Sequence, residues 1–159
     1  MKIPENTLQI INYNDKYKED LKRLTLEWLE KGFIVEPEDL KFIENPTNYV
    51  IDNGGFIFLA QCNNEIVGTV SLFKIEKNKY ELAKLAVTEK YKGLKLGRRL
   101  MQVAIDKCKA IGAKQVILYT AKKLEAAYNL YLRLGFVEII EEKPKYIEAD
   151  VIMELDLTK

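Results

Sequence analysis

The chain has 159 residues, 48% of them apolar and 31% charged, a length that supports one core burying roughly two-thirds of the unfolded surface and a composition that argues against disorder. Its 25 Lys and Arg against 24 Asp and Glu leave a net charge of +1, so no overall field favours nucleic acid or an anionic membrane, and any basic patch is local. The absence of histidine removes Ser-His-Asp and Cys-His nucleophilic machinery and every zinc site that needs imidazole. Acid and base work then falls to carboxylates, Tyr, Lys or Cys.

The N-terminus MKIPENTLQI has no long apolar run, and no later segment reaches the length of a membrane span, so a cytoplasmic location is expected. Residues 7–13, TLQIINY, read as a first strand, and either Asn14 or Asp15 can cap a helix after it. Tyr17, Leu21, Leu24 and Trp28 make one helical face that ends at Gly32. A second, short helix starts at Pro37 and stops before Pro46. After NGG at 53–55 the pattern becomes β: FIFLAQC to Cys62, a turn at NNE, IVGTVSLFKIE, a turn at Lys77 and Asn78, and KYELAKLAV. Positions 100, 101, 104, 105, 108 and 111 then form a helix face closed by Gly112. QVILYT at 115–120 is a compact strand, and a stripe through Leu124, Ala127, Tyr128, Tyr131 and Leu134 is a last helix stopped by Gly135. Strands at 136–140 and 150–157 finish the chain, joined by the charged stretch EEKPKY. The order βααβββαβαββ predicts an α/β (α+β) fold in one domain, residues 1–159, with a mixed, mostly antiparallel sheet of about seven strands and helices on both faces. Cys62 and Cys108 sit in apolar patterns with no Cys-x-x-Cys spacing and read as buried free thiols.

The stretch YKGLKLGRRLM, residues 91–101, places Gly93 and Gly97 among Lys92, Lys95, Arg98 and Arg99 at the mouth of a helix. A helix start offers unpaired amides and partial positive charge, for which phosphate is a common guest. Taken alone, the loop reads equally as an ordinary surface helix with solvated cations. The glycine spacing matches neither the Rossmann fingerprint nor the P-loop.

With its neighbours the loop resembles the GNAT superfamily of acyl-CoA-dependent N-acetyltransferases, whose signature is Gln or Arg, two residues, Gly, one residue, then Gly or Ala. Lys92 stands at the first signature position, Lys95 replaces the first glycine, and Gly97 stands at the last. ELAKLAVTEKYKG is similar to the family's fourth strand and pyrophosphate loop, AAYNLYLRLGF to its late motif, and NNEIVGTVSL to its second and third strands, so the likeness spans about Phe56 to Phe136.

The resemblance implies transfer of an acetyl group from acetyl-CoA, as co-substrate and without a metal, to a primary amine of a small molecule or protein by direct attack in a ternary complex. It assigns the pantetheine arm to the backbone of Leu85, Ala86 and Val87, and the pyrophosphate to Lys92, Gly93, Leu94, Lys95, Gly97 and Arg98. Tyr131 matches the motif tyrosine and is the expected acid; without the resemblance it is a core aromatic with a hydrogen-bonded hydroxyl. Glu81 is the expected base, directly or through a water. Strict alternation puts it on one face with Ala83, Leu85 and Val87, while its place near a strand start reads as well as an exposed charge. Leu124 stands where the family often has Asn, Asn129 faces solvent, and Arg133 reads first as a solvated cation and secondly as a candidate for the 3'-phosphate. Trp28, Phe33 and residues 34–49 occupy the acceptor region and read equally as packing residues. The acceptor's identity is not legible, neither nucleic acid nor membrane is expected as a partner, and a homodimer is left open. Two other readings are a non-catalytic acyl-CoA-binding or regulatory module of the same fold, and a helix-mouth site for a different phosphate ligand.

Overall fold

The computed structural model describes residues 7–31, 34–92, 95–140, 146 and 149–159. Strand β1 (Leu8–Asn12) leads to Asn14, whose side chain accepts the amide of Lys16 at 3.0 Å and starts the tight turn that opens helix α1 (Lys18–Leu29). Of the expected face, Leu21 and Leu24 are buried; the expected stop at Gly32 lies outside the described residues. Helix α2 (Pro37–Glu44) begins at the proline whose fixed φ suits a first turn, and its Asp39 Oδ2 accepts the amide of Glu36 at 2.8 Å. A wide helical turn over Thr47–Ile51 follows Pro46, a feature that the apolar pattern does not signal.

Three antiparallel strands come next, β2 (Phe56–Cys62), β3 (Glu65–Glu76) and β4 (Lys79–Val87). Asn63 and Asn64 turn the first hairpin at φ 51° and 67°, and Asn78 the second at 68°, left-handed values that Asn tolerates better than most side chains. Helix α3 (Leu96–Ala110), β5 (Gln115–Thr120), α4 (Glu125–Arg133), β6 (Val137–Ile139) and β7 (Val151–Asp156) complete the chain. The expected order holds, with the last two strands shorter than expected. The stripe on α3 ends at Cys108, because Ile111 at the helix end is 40% exposed.

The seven-stranded sheet runs β1-β2-β3-β4-β5-β7-β6, antiparallel except where β4 meets β5. Strand alternation feeds two cores. Phe58, Ala60, Val70, Leu72, Leu82 and Leu118 pack with Leu100, Met101 and Ala104 of α3 and with Tyr131 of α4. On the other face, Ile57 and Leu59 meet Leu21 and Leu24 of α1 and Phe42 and Ile43 of α2. Each such side chain contributes about 1.5–3 kcal/mol of apolar burial. Cys62 and Cys108 are buried free thiols, and burial pushes the Cys108 thiol up to about 11. No helix among the described residues is long and apolar enough to cross a membrane.

One strand departs from the expected alternation. Lys84 adopts φ 57°, and the β3 register moves from Ser71 opposite Ala83 to Thr69 opposite Ala86. The extra residue on β4 is a bulge, and a bulge reverses the phase of everything after it. Leu85 and Val87 therefore pack against the α3 core with Leu82. Glu81 lies on the opposite face, beside Phe73 of the α2 core. The grouping of Glu81 with Leu85 and Val87 expected from strict alternation is thus corrected.

Candidate functional site

Strands β4 and β5 are paired at only three positions, Lys79 with Gln115, Tyr80 with Val116 and Glu81 with Ile117. Beyond them β4 follows its bulge along β3 while β5 stays in register with β7 over its whole length. The strands part, and a cleft of about 880 Å³ opens between Leu82–Val87 and Leu118–Thr120, a volume suited to a ligand of drug or cofactor size. Past Glu81 the side of β4 turned towards β5 has no strand partner among the described residues. Leu85, Ala86 and Val87 line this opening.

The N-terminal end of α3 closes one side of the cleft through Lys92, Lys95, Gly97 and Arg98. Gly93 and Leu94 lie outside the described residues. Lys95 precedes the helix at φ 62°, ψ 20°, the left-handed conformation in which a side chain costs about 1–2 kcal/mol relative to glycine. The backbone there holds a shape that glycine adopts without that cost. No side chain among the described residues caps α3, and the amides of Leu96, Gly97 and Arg98 find no acceptor among them. Among the described residues a Cβ built on Gly97 would meet nothing nearer than Leu85 Cδ2 at 4.0 Å, so the missing side chain leaves room on the cleft side of the helix. Lys92 Nζ lies 3.4 Å from Glu89 Oε2 as an exposed surface pair; Lys95 and Arg98 have no acidic partner among the described residues.

Tyr131 and Glu81 approach the cleft from opposite faces of the sheet, and both line it. Tyr131 is 9% exposed with its ring 6.3 Å from that of Phe136. Burial pushes its phenol up to about 12, so it stays protonated through the neutral range. Its hydroxyl makes no hydrogen bond among the described residues, unlike the bonded core phenol that the helical stripe alone suggests. Glu81 is 1% exposed, which replaces the surface-charge reading with a buried carboxylate at the apex where the strands separate.

Two features escape sequence reasoning. Tyr146, in the charged stretch between β6 and β7, donates its hydroxyl to Glu81 Oε2 at 2.7 Å and meets Tyr119 edge-on at 5.3 Å. Burial, and then the charge and hydrogen bond of Glu81, raise its phenol far above the ordinary value. Lys84 turns through its bulge to pair with Asp39 Oδ1, the two side chains 8% and 5% exposed. Its Nζ also lies 5.7 Å from the ring centres of both Phe42 and Tyr146. A lysine in the middle of the strand KYELAKLAV and an acid in the first turn of a Pro-initiated helix are the available signals. Trp28 and Ile34 line the cleft at its α1 and α2 end, and Leu124 and Arg133 at its α4 end; Asn129 is exposed and Phe33 lies outside the described residues.

The sequence model described as the Acetyltransferase (GNAT) family matches residues 18–136. N-alpha-acetyltransferase 30 of Schizosaccharomyces pombe is 25% identical over 135 residues, covering 80% of this chain and 82% of its own length. A GNAT-family acetyltransferase from Staphylococcus aureus Mu50 superposes with a TM-score of 0.85 at 29% identity, over 94% of this chain and 99% of that one. The PaiA N-acetyltransferase of Thermoplasma acidophilum, solved with coenzyme A, shares the fold at a TM-score of 0.72 and 21% identity, over 94% and 98% of the two chains.

Proposed function

Because the chain belongs to the Acetyltransferase (GNAT) family, we propose that it transfers an acetyl group from acetyl-CoA to a primary amine by direct attack within a ternary complex. The observation that carries this reading is the continuity of the β4/β5 opening with the end of α3, which no described side chain caps. The residues present fit the co-substrate. The β5-facing edge at Leu85–Val87, unpaired among the described residues, offers amide and carbonyl groups to a pantetheine arm. The amides from Leu96 to Arg98, with Lys92, Lys95 and Arg98, suit a pyrophosphate, and Gly97 leaves the backbone accessible. When bound, acetyl-CoA supplies an activated thioester.

A lysine-like amine is about three pH units from its free base at neutrality, which costs roughly 4–5 kcal/mol. The carboxylate of Glu81, oriented by Tyr146, takes the ammonium proton directly or through a water, and the hydroxyl of Tyr131 gives a proton to the leaving sulfur. The buried position of Glu81 and the cleft position of Tyr131 favour turnover over a passive acyl-CoA-binding module. Calorimetry with acetyl-CoA and thiol release with an amine panel test the reading. Absence of binding at millimolar acetyl-CoA refutes it, and binding without release from any amine supports the passive module.

A further inference from the structure

The two ends of the cleft differ in charge. At the α3 and α4 end the lining carries Lys92, Lys95, Arg98, Lys123 and Arg133 against Glu125. At the α2 end it carries Glu36, Asp39 and Glu81 against Lys84. Lys84 is already engaged: its ammonium is held by the Asp39 carboxylate and lies near the faces of Phe42 and Tyr146. Among the described residues, three carboxylates stand against one ammonium at this end, a local excess of negative charge, with Trp28, Ile34 and the ring of Tyr146 as its apolar walls.

The groups around Lys84 show what this end accommodates. One carboxylate, Asp39, and two aromatic rings hold one ammonium group internally, and Glu36, Glu81 and Trp28 line the adjoining space with groups of the same kind for a second. A carboxylate on the carbon next to an incoming amine would meet Glu81 as a like charge. The cation on this part of the lining, Lys84, is bound to Asp39 and has an 8% exposed side chain, so it is poorly placed to offset that repulsion. Ile34, 52% exposed on the cleft wall, gives an apolar body something to cover.

We propose that the acceptor is a cationic primary amine on an apolar or aromatic carbon body, with no carboxylate beside the amine. This assignment rests on the acetyl-transfer reading and narrows it. It takes in a free arylalkylamine and the N-terminal amine of a polypeptide, whose neighbouring carbonyl is an amide, and it rejects a free amino acid. Selectivity arises as much from repulsion of the wrong acceptor as from attraction of the right one.

The test uses three acceptors that share one body: 2-phenylethylamine, phenylalaninamide and phenylalanine. Thiol release at saturating acetyl-CoA gives kcat/KM for each, expressed per unprotonated amine. The expected result is that phenylalanine falls at least about tenfold below the better of the other two. Faster turnover of the amide points to polypeptide N-termini, and faster turnover of phenylethylamine to free amines. In Glu36→Gln, with one repelling charge removed, the gap narrows while acetyl-CoA affinity is unchanged. Phenylalanine turned over as well as its partners, or a gap that Glu36→Gln leaves intact, overturns the assignment. Acetyl-CoA binding with no thiol release from any of the three also overturns the substrate class while leaving the co-substrate site standing; failure of acetyl-CoA itself to bind removes the reading beneath it.

Discussion

Replacing Lys84 with Met breaks the one ion pair among the described residues whose partners are both nearly sealed from water. The side chains are 8% and 5% exposed, so the remaining Asp39 carboxylate would be left in a site with little solvent. Breaking a buried pair from one side costs about 3–5 kcal/mol, and some water reaches this cleft, so about 3 kcal/mol is expected. Met keeps the left-handed strain at φ 57° unchanged, because it carries a Cβ as Lys does. Asp39→Ala loses the same pair and also the acceptor for the Glu36 amide, worth about 1 kcal/mol as a helix cap. The double variant removes both charges and leaves neither orphaned. Its loss is expected near 1–2 kcal/mol, against about 7 kcal/mol for simple additivity. Urea unfolding followed by the fluorescence of Trp28, the single tryptophan, measures all three. For a chain of this size, 3 kcal/mol corresponds to about 6–12 °C in melting temperature. Single variants within about 0.5 kcal/mol of the parent, as exposed pairs behave, or a double variant equal to the sum of the singles, would refute the reasoning.

Tyr131→Phe is expected to lower turnover by about 10²–10⁴ with acetyl-CoA affinity nearly intact; an unchanged rate rules out the acid role. Gly97→Val is expected to keep stability within about 1 kcal/mol, since among the described residues nothing lies within 4.0 Å of the new Cβ except Leu85, while weakening acetyl-CoA binding at least about tenfold, or 1.4 kcal/mol, by filling the cleft side of α3. Calorimetry showing an unaltered affinity counts against the assigned site. Lys95→Gly relieves a left-handed side chain and is expected to stabilise the fold by about 0.5–1 kcal/mol, with weaker cofactor binding from the lost charge; a lower melting temperature contradicts the strain argument. The Cys108 thiol, raised from 9.0 to about 11 by burial, stays protonated in the folded chain where an unfolded chain would ionise it. Its contribution is complete below about pH 9 and lost as pH rises through about 11. Melting curves should fall over that window less steeply in Cys108→Ala than in the parent, and equal slopes would assign the fall to other groups.

The meander is legible because its turns announce themselves. Asn63, Asn64 and Asn78 take the left-handed values that Asn favours, and the alternation in FIFLAQC supplies both cores. Helix α3 is legible from a stripe whose members, Leu100 to Cys108, are buried together. Lys84 is not, because a left-handed bulge residue is usually flagged by Gly or Asn and nothing local marks a lysine for it. That single residue reverses the phase of β4 and separates Glu81 from Leu85 and Val87. Tyr146 escapes for a different reason: its bond to Glu81 joins positions 65 apart, and a tyrosine at the end of a charged stretch carries no periodic signal. The α3 end of the cleft rests on backbone shape, which glycine and capping patterns encode. The α2 end rests on side chains gathered from α1, α2, β4 and the β6–β7 connection, which no local pattern encodes.

The three-position seam between β4 and β5 also makes the sheet two platforms, β1 to β4 and β5 to β7, coupled by a narrow strip of ladder and by the helix that crosses from one to the other. A molecule lying in the gap, bonded to both margins, would act as a missing rung. Occupancy would then stiffen the joint between platforms, so that part of the rigidity needed to aim an acceptor at its target is supplied by the donor itself.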